Sequence, residues 1–265
     1  NDIFPYLGAS RVDHISPKDV LETLRIVEGR GSYETATRVL QRINAVCRYS
    51  VQTGRAITNP ASEMRGALKT KRVTKSPAMD KKDLPGFLVQ LQKSSEHIIT
   101  KSALLFTILT AARTGEVRFA VWGEIDEKAR EWRIPAKRMK MNSEHVVPLS
   151  SQAMTILEGM KAHSVGGYVF PGIKNQHKPL SENTMLYSLY RLGFHSRATV
   201  HGFRAVFSSL ANESGLFDKD AIERQLAHQE RNRVRAAYHR SEYLEQRREL
   251  MQWWADYLEK QGKRA

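Results

Sequence analysis

Apolar residues recur at intervals of three and four along the first sixty positions of the chain, which is the spacing of helices that bury one face. Ser16 and Pro17 form a typical helix start, a capping serine before a proline at the first helical position. A second helix begins at Ser32 and continues past Cys47 until Gly54 offers a stop. We therefore expect a helical unit here, with Cys47, in the pattern Val39, Ile43, Val46, Cys47, as a core residue.

The pattern changes in the rest of the chain. Residues 69–78 are basic without periodicity, so we interpret them as a linker between two domains, 1–76 and 77–265. Helices are expected from about residue 83 and up to residue 112. Three segments rich in aromatic and β-branched residues then predict strands of a small antiparallel sheet: Val121–Asp126, Glu131–Pro135 and His145–Leu149. Helical spacing returns over about 151–162, 181–192, 202–214, 218–229 and 241–260. The predicted fold is mainly α, with an N-terminal helical domain and a mixed α+β C-terminal domain that contains the small antiparallel sheet.

Composition narrows the candidate partners. The chain has 42 Lys and Arg against 28 Asp and Glu, a formal net charge of +14 that is spread over both halves. This surplus favours a nucleic acid or an anionic membrane surface, although a basic protein with no nucleic-acid role is the alternative. The longest apolar run, Ala103–Ala112, is too short to span a bilayer. The single cysteine is consistent with a reducing compartment. Since Asn1–Ala9 has neither an initiator Met nor a signal-peptide form, we expect the sequence to start inside a longer protein.

Two of the features that carry chemistry lie before residue 150. Arg113 follows an apolar helix in Ala-Arg-Thr-Gly-Glu, where the Thr-Gly turn can aim it inward. The alternative is a surface arginine that ends the helix and pairs with Glu116. Lys140 lies in the connection between the second and third predicted strands, where a lysine is usually only solvated.

Two further features lie near the end of the chain. His201 and Arg204, in His-Gly-Phe-Arg, are three residues apart at a helix start and can face one point. The alternative for His201 is a hydrogen-bonded histidine on a helix edge. His228 precedes Tyr238 by ten residues in an arginine-rich stretch, where a tyrosine is more often partly buried by packing than a nucleophile.

Together these residue types suit metal-free phosphoryl transfer. Guanidinium groups hold a phosphate through paired hydrogen bonds and can stabilise the charge of a pentacoordinate phosphorus. A tyrosine oxygen can attack phosphorus, a lysine can protonate the departing oxygen, and a histidine can accept the tyrosine proton. A nucleotide pocket would instead need a Gly-rich phosphate loop, and the sequence contains neither such a loop nor a Cys/His metal cluster. We therefore expect no metal and no cofactor.

The set Arg113, Lys140, His201-x-x-Arg204, His228 and Tyr238 resembles the tyrosine recombinase, or phage integrase, family, and is most similar to integrases of satellite phages and pathogenicity islands. The resemblance covers nearly the whole chain, including Ile134–Lys140 and the C-terminal Tyr243–Arg248. It implies a core-binding domain followed by a catalytic domain, without the N-terminal arm-binding domain of this subgroup. The implied activity is site-specific cleavage and rejoining of DNA through a covalent 3′-phosphotyrosyl intermediate.

The resemblance also implies roles at the phosphate. Arg113 and Arg204 would bind it, with a hydrogen bond donated by His228. His201 would accept a proton or contact the phosphate. Glu116 would orient the first arginine or the histidine.

The resemblance makes Tyr238 the nucleophile and Lys140 the general acid. Lys137 is the alternative acid, and only the geometry of the turn decides between the two lysines. We favour Lys140 because its spacing to Val147 is similar to that in other family hairpins. Further DNA contacts are expected at Lys69, Lys71, Arg72, Lys75, Arg138, Arg231 and Arg233.

The implied partner is double-stranded DNA that carries attachment sites, bound by a homotetramer in the cytoplasm, at the bacterial nucleoid, with accessory DNA-bending or excision factors and no membrane. The last helix would dock onto a neighbouring protomer through its apolar face, or pack that face on its own domain; both alternatives stay open. This face comprises Tyr243, Leu244, Leu250, Met251, Trp254, Tyr257 and Leu258.

Three other functions compete with recombination. A type IB topoisomerase shares the chemistry but would relax supercoils as a monomer. A non-enzymatic DNA-binding protein, such as an excision or architectural factor, explains the charge of +14 but not the catalytic set. An RNA-binding protein explains the charge alone, and the sequence has no aromatic stacking box of the RRM type.

Overall fold

The computed structural model of the chain describes residues 2–64, 66–69, 79–139, 142–228 and 242–264. The chain divides into two compact units, Asn1–Lys75 and Ser76–Ala265. The fold is mainly helical with one three-stranded antiparallel sheet in the second unit, which confirms the predicted fold class. Among the described residues, no helix is long and apolar enough to cross a membrane.

The described residues of the first unit form three helices and two short 3₁₀ turns. Its elements are α1 (Phe4–Leu7), a turn at Val12–His14, α2 (Pro17–Gly29), α3 (Tyr33–Gln52) and a turn at Ser62–Met64. The start of α2 is a capping box, in which the Ser16 hydroxyl accepts from the Asp19 N–H and the Asp19 carboxylate accepts from the Ser16 N–H. Cys47 is buried as predicted, but Val46, placed in the same apolar pattern, is 62% exposed. The helical spacing of α3 turns Val46 just past the edge of the buried face.

The second unit has eight α-helices in its described residues. They are α4 (Leu84–Lys93), α5 (Ile98–Thr110), α6 (Thr114–Arg118), α7 (Ser151–Lys161), α8 (Thr184–Leu189), α9 (Gly202–Ser214), α10 (Lys219–Gln225) and α11 (Leu244–Arg264). The helix predicted over 181–192 begins later and runs into a π-helical turn, Tyr190–Phe194. Gly193 has a φ of 82°, a left-handed conformation that ends the regular helix at little steric cost.

The sheet comprises β1 (Ile125–Asp126), β2 (Glu131–Ile134) and β3 (His145–Pro148), in that order. Its register pairs Glu131 with Pro148 at one end of the β2–β3 pair and Ile134 with His145 at the other. The first strand is shorter than predicted because Trp122–Glu124 forms a 3₁₀ turn instead. The sequence signal for strand came from aromatic and β-branched residues, which also suit this partly buried turn.

Helix α11 packs its apolar face on its own unit. Leu250, Met251, Trp254 and Leu258 are buried in the main core, and the Trp254 indole N–H donates to the Ile108 carbonyl of α5 at 2.9 Å. Of the two alternatives for this face, the structure therefore has the cis packing. Docking of α11 onto a neighbouring protomer stays a prediction.

Candidate active site

Arg113 is positioned by a tight turn between α5 and α6. Ala111 has a φ of 50°, which reverses the chain, and Arg113 then occupies the N-cap position of α6. The Glu116 carboxylate accepts two hydrogen bonds from Arg113. One oxygen accepts from the Arg113 backbone N–H at 2.8 Å, and the other accepts from the Arg113 Nη1 at 2.7 Å. The Glu116 side chain is 7% exposed and that of Arg113 28%, so the pair is rigid yet open on the arginine side.

Arg204 lies one turn into α9 and is almost completely buried, at 5% exposure. Its Nη1 donates to the Ala111 carbonyl and its Nη2 donates to the Leu226 carbonyl at 2.6 Å. Within the described part of the chain, its Nε has no hydrogen-bond partner. Burial lowers the pKa of Arg204 to about 10, and the positive charge of Arg113 adds to this effect. The group still remains a cation at neutral pH.

The two arginines converge on the short segment that follows α10. Arg113 Nη2 donates to the Ala227 carbonyl at 3.2 Å, next to the Leu226 carbonyl that Arg204 binds. Ala227 has a left-handed φ of 47°. His228 follows directly, and its Nδ1 lies 2.8 Å from a carboxylate oxygen of Glu223. Residues more than a hundred positions apart in the sequence are thus brought together around one point.

His201 occupies the N-cap position of α9, three residues before Arg204. Desolvation lowers the pKa of His201 below its ordinary value, and the charges of Arg204, Arg113 and His228 lower it further. A neutral imidazole is therefore favoured at neutral pH, and it can accept a proton.

A cavity of about 740 Å³ opens beside these groups. Its lining residues are Arg113, Thr114, Gly115, Glu116, Phe119, Val121, Glu124, Lys137, Arg138, Tyr168 and His201. Lys137, the alternative general acid, is thus placed at the cavity. Lys140 and Tyr238 lie outside the described residues. Among the residues that the structure does describe, no three His, Cys, Asp or Glu side chains form a group that could hold a metal ion.

Arg138 is held inward rather than displayed to solvent. Its side chain is 17% exposed, and its guanidinium donates to the Glu124 carboxylate and to the Glu116 carbonyl. Glu124 also accepts from the Trp132 indole N–H at 3.0 Å. Two guanidinium donors of Arg138 thus attach the β2–β3 connection to α6 and to the turn that carries Glu124, and the DNA contact expected at Arg138 stays a prediction.

Of the other expected DNA contacts, only Lys69 is described. Its side chain is exposed, while its backbone N–H donates to the buried carboxylate of Glu28 at 2.6 Å. Lys71, Arg72, Lys75, Arg231 and Arg233 lie outside the described residues.

Two buried polar residues near the site were not predicted from the sequence. Arg247 in α11 has no exposed side-chain surface, and His145 at the start of β3 is 6% exposed. Burial lowers the pKa of His145 to about 3, helped by the charge of Arg247. The spacing of both residues in the sequence indicates that they are buried. Arg247 falls at helical spacing on the face of Met251 and Trp254, and His145 alternates with the buried Val147 along its strand.

Comparison with known proteins gives matches over both units. Residues 1–67 match the phage integrase central domain, and residues 77–245 match the phage integrase family. The integrase of Enterobacteria phage P4 is 42% identical over 97% of this chain and 62% of its own length. The putative protein IntB of Escherichia coli K12 is 39% identical over 98% of this chain and 69% of its own length. The chain thus spans a little over three fifths of the length of the phage P4 relative.

Solved structures show the same fold at low identity. A lambda integrase (75–356) dimer bound to a COC′ core site matches with a TM-score of 0.66 and 17% identity, over 86% of this chain and 84% of that one. A lambda integrase tetramer bound to a Holliday junction matches with a TM-score of 0.63 and 16% identity, over 83% of this chain and 66% of that one. Together with the two family matches and the relatives at about 40% identity, the chain belongs to the phage integrase family.

Proposed function

We propose that this chain is a site-specific DNA recombinase that breaks and rejoins DNA through a covalent phosphotyrosine at Tyr238. The observation that carries the proposal is the convergence of Arg113 and Arg204 on the successive carbonyls of Ala227 and Leu226, beside His201 and an open cavity. Two adjacent guanidinium groups next to a neutral histidine form a site for a phosphodiester that is about to gain negative charge.

The first chemical step follows from this placement. Arg113 and Arg204 hold the scissile phosphate, and His228 donates a further hydrogen bond to it. The Tyr238 oxygen attacks phosphorus and loses its proton to His201. The bond from phosphorus to the 5′-oxygen breaks, Lys140 supplies the proton to that oxygen, and a 3′-phosphotyrosyl link remains.

The second step reverses the first with another strand. The 5′-hydroxyl of a partner strand attacks the phosphotyrosyl link and releases Tyr238. One phosphodiester replaces another, so the exchange needs no ATP. Lys137 lines the cavity and stays an alternative to Lys140 as the proton donor.

The proposed partner is double-stranded DNA with attachment sites, bound at the bacterial nucleoid by four copies of the chain. The net charge of +14 supports binding to the DNA backbone. Support for four copies comes from the fold shared with a lambda integrase that forms a tetramer on a Holliday junction. Accessory DNA-bending or excision factors stay a prediction.

The decisive experiment is a search for the covalent intermediate. The protein is incubated without added metal with nicked suicide DNA that carries candidate attachment sequences, and products are separated on a denaturing gel. We expect a protease-sensitive protein–DNA adduct with the wild-type chain and none with Tyr238→Phe. Tyr187→Phe, at an exposed tyrosine that is not part of the cavity lining, is the matched control and should form the adduct.

The other outcomes point to different conclusions. An adduct that persists in Tyr238→Phe would assign the nucleophile to another residue. Tight DNA binding without an adduct on any substrate would favour a non-enzymatic DNA-binding protein. Relaxation of supercoiled DNA that lacks attachment sites would favour a topoisomerase.

A further inference from the structure

Two adjacent arginines of α11 have very different surroundings. Arg248 is partly exposed, whereas Arg247 has no exposed side-chain surface. Burying a guanidinium costs several kcal/mol unless its hydrogen bonds are well satisfied, and apolar residues of similar volume often fill such a position without loss of stability. The contacts of Arg247 therefore indicate what an arginine achieves there that an apolar residue would not.

The guanidinium of Arg247 binds three separate segments of the chain. Its Nε donates to the Gln225 side-chain oxygen at 3.0 Å, and its Nη1 donates to the Glu242 carbonyl at 3.2 Å. Its Nη2 donates to the Val146 carbonyl. Gln225 extends the network, since its side-chain amide donates to the Thr110 carbonyl at 3.0 Å.

Each of these partners lies a few residues along the sequence from a proposed catalytic residue. Gln225 ends α10, three residues before His228, and Thr110 ends α5, three residues before Arg113. Glu242 follows Tyr238 by four residues. Val146, in β3, follows Lys140 by six residues. A single buried side chain, together with its partner Gln225, thus connects the segments that lead to four of the six catalytic positions.

We infer that Arg247 is a positioning residue, which fixes the segments leading to Tyr238, Lys140, His228 and Arg113 relative to one another. The inference rests on the proposed function and goes beyond it, because Arg247 itself contacts neither the cavity lining nor the phosphate-binding arginines among the described residues. Displacement of a reacting group by about 1 Å can lower a rate by about 100-fold. Loss of the Arg247 guanidinium should therefore lower mainly the rate of the chemical step.

Arg248 offers a matched control on the same helix. It donates to the Ala129 carbonyl at 2.7 Å and to the Glu131 carboxylate, so it also attaches α11 to the sheet. The strand register places Glu131 opposite Pro148, at the other end of the strand pair from His145. Arg248 therefore attaches the helix at the end of the strand pair away from His145, without a hydrogen bond to the segments that Arg247 binds.

The test compares Arg247→Lys and Arg247→Met with Arg248→Lys and Arg248→Met in the full chain. Single-turnover formation of the covalent adduct is measured on suicide DNA, together with DNA affinity and urea unfolding. We expect Arg247→Met to form adduct about 100-fold more slowly than wild type with unchanged DNA affinity. The rate of Arg247→Lys should lie between those of wild type and Arg247→Met, since a lysine can bind only one or two of the three partners of Arg247. Both Arg248 variants should react at the wild-type rate.

A second substrate, with sulfur in place of the 5′-bridging oxygen, needs no proton for its leaving group. Recovery of the Arg247→Met rate on this substrate would show that the residue acts through the segment of Lys140. A persistent defect would show that it acts through the segments of Tyr238 or the phosphate-binding groups. Either result supports a positioning role when the rate loss exceeds the unfolded fraction measured in urea, because a simple loss of folded protein would slow both substrates by that fraction alone.

Two results would overturn the inference. One is an Arg247→Met or Arg247→Lys rate no lower than that of the corresponding Arg248 variant. The other is a rate loss that matches the unfolded fraction measured in urea. Absence of adduct with the wild-type chain as well would overturn the proposed function itself, and this inference with it.

Discussion

Arg113 and Arg204 donate to neighbouring carbonyl groups, those of Ala227 and Leu226, but they are held in different ways. Arg113 is paired with the carboxylate of Glu116 and keeps part of its surface open. Arg204 is almost completely buried and is held by carbonyl oxygens of Ala111 and Leu226. An ion pair compensates the charge of the first arginine, whereas the hydrogen bonds of the second go to carbonyl dipoles and the charges of Glu116 and Glu223 act on it only at longer range.

This difference separates two tasks within one site. The contacts of Arg204 connect the end of α5 with the segment after α10, so its side chain is part of the core as well as of the proposed phosphate site. Arg113 lines the cavity and is oriented from one side, which leaves its outer edge for a ligand. We therefore expect both residues to matter for cleavage, and Arg204 to matter more for folding.

The largest expected effect is the loss of cleavage in Arg113→Lys and Arg204→Lys. A lysine keeps the charge but lacks the planar fork that binds two phosphate oxygens at once. We expect covalent adduct formation to fall by about 100- to 1000-fold in each variant, as for removal of one oxyanion-stabilising donor. Arg191→Lys, at an exposed arginine that pairs with the nearly buried Glu96 outside the cavity lining, should keep the wild-type rate. Near-wild-type cleavage by either of the two site variants would remove that arginine from the phosphate site.

The next largest effect should be a difference between Arg204→Lys and Arg113→Lys in the free energy of unfolding. In Arg204→Lys at least one of the two buried carbonyls loses its partner, which costs about 1–3 kcal/mol. In Arg113→Lys the new side chain can still pair with Glu116, so the loss should stay below about 1 kcal/mol. Urea unfolding followed by circular dichroism measures both values. Equal losses would contradict the division of tasks between the two arginines.

A smaller effect is expected from Glu116→Gln. The amide oxygen can still accept one hydrogen bond from Arg113, but the charge that orients the guanidinium is lost. We expect cleavage to fall by about tenfold, which corresponds to about 1.4 kcal/mol in the activation barrier. The exposed Glu245→Gln serves as a control for a lost carboxylate. If Glu116→Gln cleaves DNA at the same rate as Glu245→Gln, the orientation of Arg113 is set by the turn between α5 and α6 alone.

The elements around this site follow largely from local sequence patterns. Helical spacing predicted α2, α3 and α9, each of which buries one face in the core of its own unit, and the continuous apolar run predicted α5, which is buried on nearly all sides. The start of the sheet was overestimated, since Trp122–Glu124 forms a 3₁₀ turn with a strand-like composition. Arg113, His201, Arg204 and His228 could be selected because their residue types suit phosphate chemistry and because the set resembles a family.

The partners of these residues could not be predicted in the same way. That Arg113 reaches Ala227, or that Arg247 joins Gln225 to Val146, depends on contacts between residues about a hundred or more positions apart, or on different elements. Arg247 also escaped notice because a charged residue is ordinarily assigned to a solvated face. Its helical spacing with Met251 and Trp254 was the signal that it is buried.

The smallest expected effect compares the two arginines through the pKa of His201. Arg204 and Arg113 both lower this pKa, and the effect of Arg204 is the larger. Burial and these cations disfavour the charged imidazole in the folded chain, so His201 is neutral at neutral pH. It gains a proton only at a pH below the ordinary pKa of a histidine. Removing a neighbouring cation should therefore raise the pKa of His201.

We expect a larger rise in Arg204→Gln than in Arg113→Gln, measured by NMR titration of the His201 ring protons and assigned with His201→Gln. Cleavage that uses neutral His201 should decline as the pH falls through this lowered pKa, so protonation of His201 should not reduce the wild-type rate at neutral pH. A larger rise in Arg113→Gln would reverse the order of the two cations. It would mean that the partly exposed arginine, not the buried one, dominates the electrostatics at His201, the proposed acceptor of the tyrosine proton.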